Sequence, residues 1–184
     1  MPRQPDPQLE IRILNAAHKL FLRGGEKGLS MRALAKAAHT NTPAVYRRYK
    51  SRKQILGALV QRTQQDLSAV LEPCVSLQDA YRRLLEFLLE HPHEYQLINA
   101  GVFSKVNTPR PNFELIKKRS AEWLGGSPED HTDLILALWA LAHGAASLLI
   151  SRAVPSLHET DLRSVADRAA ALLVQNASLL SARK

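Results

Sequence analysis

The chain has 184 residues, 45% of them hydrophobic, and 25 Lys and Arg against 17 Asp and Glu give it a formal net charge of +8; this length suits one small head and one larger helical body. Its single cysteine, Cys74, excludes an intramolecular disulfide framework and fits a reducing compartment. The opening residues MPRQPDPQ lack the apolar run of a signal peptide, so a cytoplasmic location is expected.

The positive charge is unevenly distributed. Up to Glu72, thirteen Lys and Arg face five Asp and Glu, whereas beyond it twelve face twelve. Such an asymmetry suits a polyanion, because each base that neutralises a phosphate releases condensed counterion.

Residues 1–4 read as a short arm, and Asp6 with Pro7 is expected to start a first helix. Its stripe is Leu14, Ala17 or His18, Phe21 and Leu22, and it runs to the pair Gly24 and Gly25. Residues 29–53, LSMRALAKAAHTNTPAVYRRYKSRK, then carry two short helix patterns joined by a tight turn. Ser30 caps the first, whose apolar face is Leu34, Ala35 and Ala38, and Asn41 or Thr42 caps the second, with Pro43 in its first turn. Val45 and Tyr49 are four apart and face inward. Tyr46, Arg47 and Arg48 are left facing outward or toward the backbone, Tyr46 as a phosphate or base contact in preference to a packing residue, and Asn41, Thr42, Pro43 and Ala44 form the narrow end suited to a major groove. Ser51 and Gln54 make a capping box for the next helix, with Arg52 and Lys53 at its start, where backbone N–H groups also favour phosphate. Arg32, near the start of the preceding helix, is either a solvent charge or a phosphate clamp.

These residues resemble a known family. The runs ILNAAHKLF, Gly24-Gly25, LSMRALAKAA, TPAVYRRY and KSRKQIL are similar to the N-terminal domain of the tetracycline-repressor (TetR) family of transcriptional regulators. The match covers roughly residues 9–60. One position departs: the family usually has a Gly-hydrophobic-Ser turn where this chain has His39-Thr40-Asn41. His39 is therefore expected in a left-handed conformation, which His tolerates better than most non-glycine residues.

The expected architecture is all-α, with about nine helices. A three-helix DNA-binding head spans 1–53, a fourth helix to about residue 72 connects it, and a regulatory and dimerisation body spans 54–184. The fourth helix carries Ile55, Leu56, Leu59, Val60, Leu67 and Leu71 and stops at Pro73. Ser76 with Asp79 caps a helix bearing Tyr81, Leu84, Leu85, Leu88 and Leu89. Pro92 interrupts it, and a further helix is expected through Phe103. After a Pro-rich break another helix carries Phe113, Ile116, Trp123 and Leu124 to Gly125 and Gly126.

Ser127-Pro128-Glu129-Asp130 is expected to start the most apolar helix, in which residues 134–150 include no Asp, Glu, Lys or Arg. Seventeen residues lie at the lower limit for a membrane span, and His143, Gly144 and Ser147 weaken it further. No membrane partner is expected; the helix reads as one buried on all sides. Thr160 or Ser156 opens the last helix, and its Ala166, Ala169 and Ala170 permit close approach. Together the two helices are expected to form half of an intersubunit four-helix bundle, with Ala145, Leu149, Ala169 and Leu173 at the interface of a homodimer. The string LWALAHGAASL, with HPHEYQLI before it, also resembles the WHG-type regulatory domain of the same family.

Tyr95, Asn99, Phe103, Trp123, Trp139 and His143 combine aromatic surface with a few polar groups, as a small-molecule effector pocket requires. An ordinary core requires the same list. Seven histidines lack the spacing of a helical metal pair, Cys74 has no adjoining basic pair, and no phosphate loop, dinucleotide fingerprint or nucleophile elbow occurs. Neither catalytic residues, a metal nor a cofactor is therefore expected. The function expected is a ligand-responsive repressor, dimeric on a near-palindromic double-stranded DNA operator. The alternatives are an architectural nucleic-acid binder without sequence preference and a helical protein-interaction module.

Overall fold

The computed structural model describes residues 8–99, 110–153 and 159–180, with the side chains of 96–99 and 159 outside that description. Within it the chain forms nine α-helices and no strand: α1 (Leu9–Gly24), α2 (Met31–Ala37), α3 (Thr42–Arg48), α4 (Arg52–Leu71), α5 (Leu77–Glu90), α6 (Pro92–Asn99), α7 (Pro111–Leu124), α8 (Thr132–Ser151) and α9 (Glu159–Gln175). Asp6, Pro7, Phe103 and Ser156, which the sequence reading used, lie outside the described residues.

Backbone contacts divide the chain inside α4, between residues 63 and 64. The front of that helix belongs to the head for a physical reason: Ile55, Leu56, Leu59 and Val60 join Ile13, Ala17, Phe21, Leu34 and Val45 in one buried cluster. On α1 the buried stripe is Ile13, Ala16, Ala17 and Phe21, with Leu14 only half-buried, one position earlier than its periodicity suggested. Gly25, at φ 56°, ends α1 with its N–H bonded to Phe21 O, and a 3-10 turn, Gly25–Gly28, follows. A Cβ on Gly28 would stand 3.0 Å from the Leu20 carbonyl oxygen, so any larger residue in this return against α1 requires the backbone to give by a few tenths of an ångström.

In the second unit α5 packs on α7, α8 and α9. Leu77, Ala80, Tyr81, Leu85, Phe87 and Leu88 are its buried face. Arg82 joins α5 to α9 by donating from Nε and Nη2 to the two Asp167 oxygens at 2.6 and 2.8 Å. This bond holds the Asp167 carboxyl below its ordinary range. Gly125 and Gly126, at φ 80° and 77°, end α7, and His131 Nε2 donates to Gly125 O at 2.7 Å. Before α8 comes a 3-10 turn, Pro128–His131, where Ser127 N–H donates to Asp130. The expected motif is thus a turn of its own, and α8 starts after it.

Residues 128–151 are long and apolar enough to cross a membrane by length and composition, the test that a soluble core helix also passes. The expectation that α8 is buried on all sides is not met within one chain. Leu134, Ile135, Leu138, Ala142, Ala145 and Ala146 are buried, while Leu136 and Leu148 are each 40% exposed. An apolar helix on the edge of a small body has only one side to bury against its own chain.

Candidate nucleic-acid interface

The candidate surface is built by two short helices whose ends are fixed by side-chain caps. Ser30 Oγ accepts from Ala33 N–H at 3.1 Å at the start of α2. Asn41 Oδ1 accepts from Ala44 N–H at 2.9 Å, which makes Asn41, and not Thr42, the cap of α3. Between them His39 takes φ 51°, the left-handed conformation that the missing turn glycine demanded. The third helix-start signal is displaced. Gln54 N–H donates to Ser51 Oγ at 3.3 Å, but the Gln54 side chain reaches Lys50 N–H at 2.6 Å, one residue ahead of the cap.

Helix α3 turns Val45 and the following Tyr49 into the head core. Its other side presents Asn41, Pro43, Tyr46, Arg47 and Arg48 to solvent, with Thr42 half-buried and Tyr46 46% exposed. Ser30, Arg32 and Lys53 are exposed as well. Ala44, also expected at the reading tip, lies in the first turn of α3 with its side chain inward. It is buried, because its position beside Val45 widens the inward stripe of α3 and a methyl group fills the close approach there.

Electrostatics distinguish the basic residues. Arg52 Nη2 lies 2.6 Å from Glu26 Oε1, and Arg48 Nη1 lies 3.9 Å from Glu10 Oε2. Tyr49 donates to Glu10 at 3.4 Å, and burial, then the Glu10 charge, pushes its hydroxyl up to about 12. Among the described residues Arg32, Arg47 and Lys53 make no ion pair. All three are exposed. Glu10 and Glu26 were not among the expected participants; they are the only carboxylates in residues 8–63, a signal visible in composition alone.

In the second unit Tyr95, Trp139 and His143 come together. The Tyr95 and His143 rings are 5.5 Å apart, Trp139 meets His143 edge-on at 4.9 Å, and Tyr95 hydroxyl donates to the His143 carbonyl at 3.1 Å. Burial lowers the His143 imidazole below its ordinary range, which favours the neutral ring. Arg110 lies over Trp139 at 5.7 Å, a contact that the sequence did not suggest. Trp123 stacks under Arg119 at 5.0 Å on α7. The Asn99 side chain and Phe103 lie outside the described residues.

Of the expected interface residues, Leu149, Ala169 and Leu173 are half-buried. Ala145 is buried within its own chain. The apolar surface lies one helix position aside, at Leu136, Ala140, Gly144 and Leu148 on α8 and at Val165 and Leu172 on α9.

A capped pair of short helices, a polar tip and a cation-rich surface define a helix-turn-helix DNA-binding regulator. Residues 13–59 match the family described as bacterial regulatory proteins, tetR family, and residues 77–173 match the tetracyclin repressor-like C-terminal domain. The second match alone spans more than half of the chain, which therefore belongs to the TetR family of DNA-binding transcriptional regulators and is not an enzyme. Solved structures agree in fold. A transcriptional regulator from Streptomyces coelicolor is 21% identical, with 88% of this chain and 96% of that one covered at a TM-score of 0.67. A TetR-like regulator from Rhodococcus sp. RHA1 is 19% identical over 95% of this chain and 100% of that one at 0.66. The multidrug binding protein EbrR, solved with ethidium, is 21% identical over 89% and 99% at 0.60. No curated protein matches the chain.

Proposed function

We propose that this protein is a cytoplasmic, homodimeric, ligand-responsive repressor whose two heads read successive major grooves of a near-palindromic operator. The observation that carries this proposal is the exposed leading end of α3, fixed by the Asn41 cap and bordered by cations. Asn41, Thr42, Pro43 and Tyr46 read base edges. Ser30, Arg32, Arg47, Arg48, Arg52 and Lys53 hold the backbone and so fix register. The head ends at Lys53 in functional terms, α4 connects, and the rest of the chain regulates and dimerises.

Dimerisation is supported by the apolar side of α8, where Leu136, Ala140, Gly144 and Leu148 recur along one face, and a Cβ at Gly144 would meet nothing within 4 Å. Small side chains there allow a second copy of α8 to approach closely. Effector binding is supported by the Tyr95, Trp139 and His143 cluster and by the ethidium complex of EbrR. The first turn of α7 offers a route from that cluster to α4. Arg110 touches Trp139, while Asn112 accepts from Ser68 at 2.5 Å and donates to Gln64 O at 2.9 Å. A ligand that shifts this turn biases α4, and a small change in head separation uncouples the second half-site.

Selecting bound duplexes from a random pool with the full chain tests the proposal. The expected product is a near-palindrome bound by a dimer with half-sites a fixed interval apart, at an affinity far above that for random duplex. Equal affinity for both would favour an architectural binder.

A further inference from the structure

The head carries twelve Lys and Arg in residues 8–63 but only two carboxylates, and each of the two is committed to the end of the helix-turn-helix. Glu10, on α1, receives Tyr49 and lies near Arg48. Glu26, in the 3-10 turn after α1, holds Arg52 at 2.6 Å, with the two side chains 42% and 38% exposed in the order Arg52, Glu26. A carboxylate beside a phosphate-binding surface repels DNA, so its presence calls for a compensating role. An exposed ion pair adds little to folding stability. It does remove rotamer freedom from a long side chain before DNA arrives. Arginine has five N–H donors in a rigid fork, so a bond from Nη2 to Glu26 leaves donors for a phosphate oxygen.

We propose that Glu26 is a positioning residue for operator recognition: it holds the Arg52 guanidinium so that its remaining N–H groups meet a backbone phosphate beside the start of α4. The proposal rests on the DNA-contact role given to Arg52 above. Pre-ordering of one such side chain corresponds to roughly threefold to tenfold in affinity. Charge and positioning predict opposite signs. Removal of one negative charge strengthens binding to any duplex. Loss of the orientation weakens binding to the operator, where a fixed register sets the phosphate against the pre-ordered guanidinium, and matters little on a random duplex, where Arg52 contributes its charge without a fixed geometry.

The test uses the full chain, a duplex selected from a random pool, and a random duplex of equal length, across a salt series. R52A is expected to weaken both duplexes and to lower the salt slope by about one. E26A is expected to weaken the selected duplex by about threefold to tenfold while strengthening the random one, so that the specificity ratio falls. E26Q keeps an acceptor oxygen for Arg52 and is expected to recover most of the selected-duplex affinity. In an R52A background E26A should weaken the selected duplex no further. The proposal is overturned if E26A strengthens both duplexes alike, or if its loss on the selected duplex persists without Arg52. An R52A variant that binds both duplexes as tightly as the parent removes the underlying contact role itself, an outcome distinct from these two.

Discussion

The head and the body leave opposite kinds of surface unfinished. In the head, most of the large apolar side chains of α1 to α3 and of the front of α4 close into one cluster, Ile11 and Tyr46 being the exposed exceptions, and the rest of the surface is rich in cations, with Arg32, Arg47 and Lys53 making no ion pair among the described residues. In the body, Arg82 pairs with Asp167 and Lys117 lies between Glu114 and Glu129, so the charges largely satisfy each other. What remains outside there is apolar: Leu136, Leu148, Val165 and Leu172, the last 60% exposed. A cationic surface is completed by a polyanion and an apolar one by another apolar face. The two regions thus differ in the chemistry of the partner each requires.

The largest expected effect breaks the body's side of this contrast. Leu172→Asp or Leu148→Asp places a charge on the apolar face, where burial against a second copy in the proposed dimer would leave it unpaired at a cost of several kcal/mol. Sedimentation should show monomer at concentrations where the parent is a dimer, and operator affinity should fall steeply as bivalency is lost. An intact dimer in both variants would place the interface elsewhere. The corresponding change in the head acts through folding. Leu34 is fully buried, and Leu34→Ala should cost about 2–5 kcal/mol through lost transfer energy and a residual cavity, read from denaturant midpoints.

How much of each region was legible in the sequence follows the same line. In the head, each function is tied to a residue type at a fixed offset: Ser30 and Asn41 as caps, Val45 and Tyr49 as the inward pair, His39 in the glycine position. Local rules therefore placed the caps, the inward pair and the left-handed turn, while the burial of Ala44 depends on how wide the inward stripe is, which periodicity alone does not say. The ion pair of Glu26 with Arg52 was not legible, since it joins residues 26 apart through the fold. In the body, the helices were legible but their faces were not. A run apolar all round gives no moment to orient it, and the split of α8 into Ala145 inside and Leu148 outside is decided by packing partners. The meeting of Tyr95 with His143 spans 48 residues and is likewise a tertiary fact.

Acid should sharpen the contrast at the body's end. Burial lowers the folded His143 imidazole, so below the ordinary value near 6.5 the unfolded chain binds the extra proton first and stability falls with falling pH. Asp167 is lowered by its bond from Arg82, and that contribution, present above about 4, is lost as pH drops through the folded value. Both act in the same direction, giving two successive losses. Trp123 and Trp139 are the two tryptophans and both lie in the body, so denaturant midpoints followed by their fluorescence report it directly. His143→Gln should flatten the loss around pH 6 and leave the one below pH 4.

The smallest effect separates the regions by sign. Tyr49 in the head and Tyr81 in the body are both buried, and burial first of all pushes both hydroxyls up to about 12. Each therefore contributes stability that is present below about pH 10 and is lost as pH rises through the folded value. Their hydrogen bonding differs: Tyr49 donates to Glu10, whereas the Tyr81 hydroxyl has no partner among the described residues. A made hydrogen bond contributes about 1 kcal/mol net, and an unmet buried group costs a similar amount. Tyr49→Phe should thus destabilise by about 1 kcal/mol and leave Glu10 without its Tyr49 donor, while Tyr81→Phe, with the same atom deleted, should stabilise by about the same. Equal and same-signed shifts in the two denaturation midpoints would mean that the Tyr81 hydroxyl is satisfied in solution, and the body's core would then be as fully paired as that of the head.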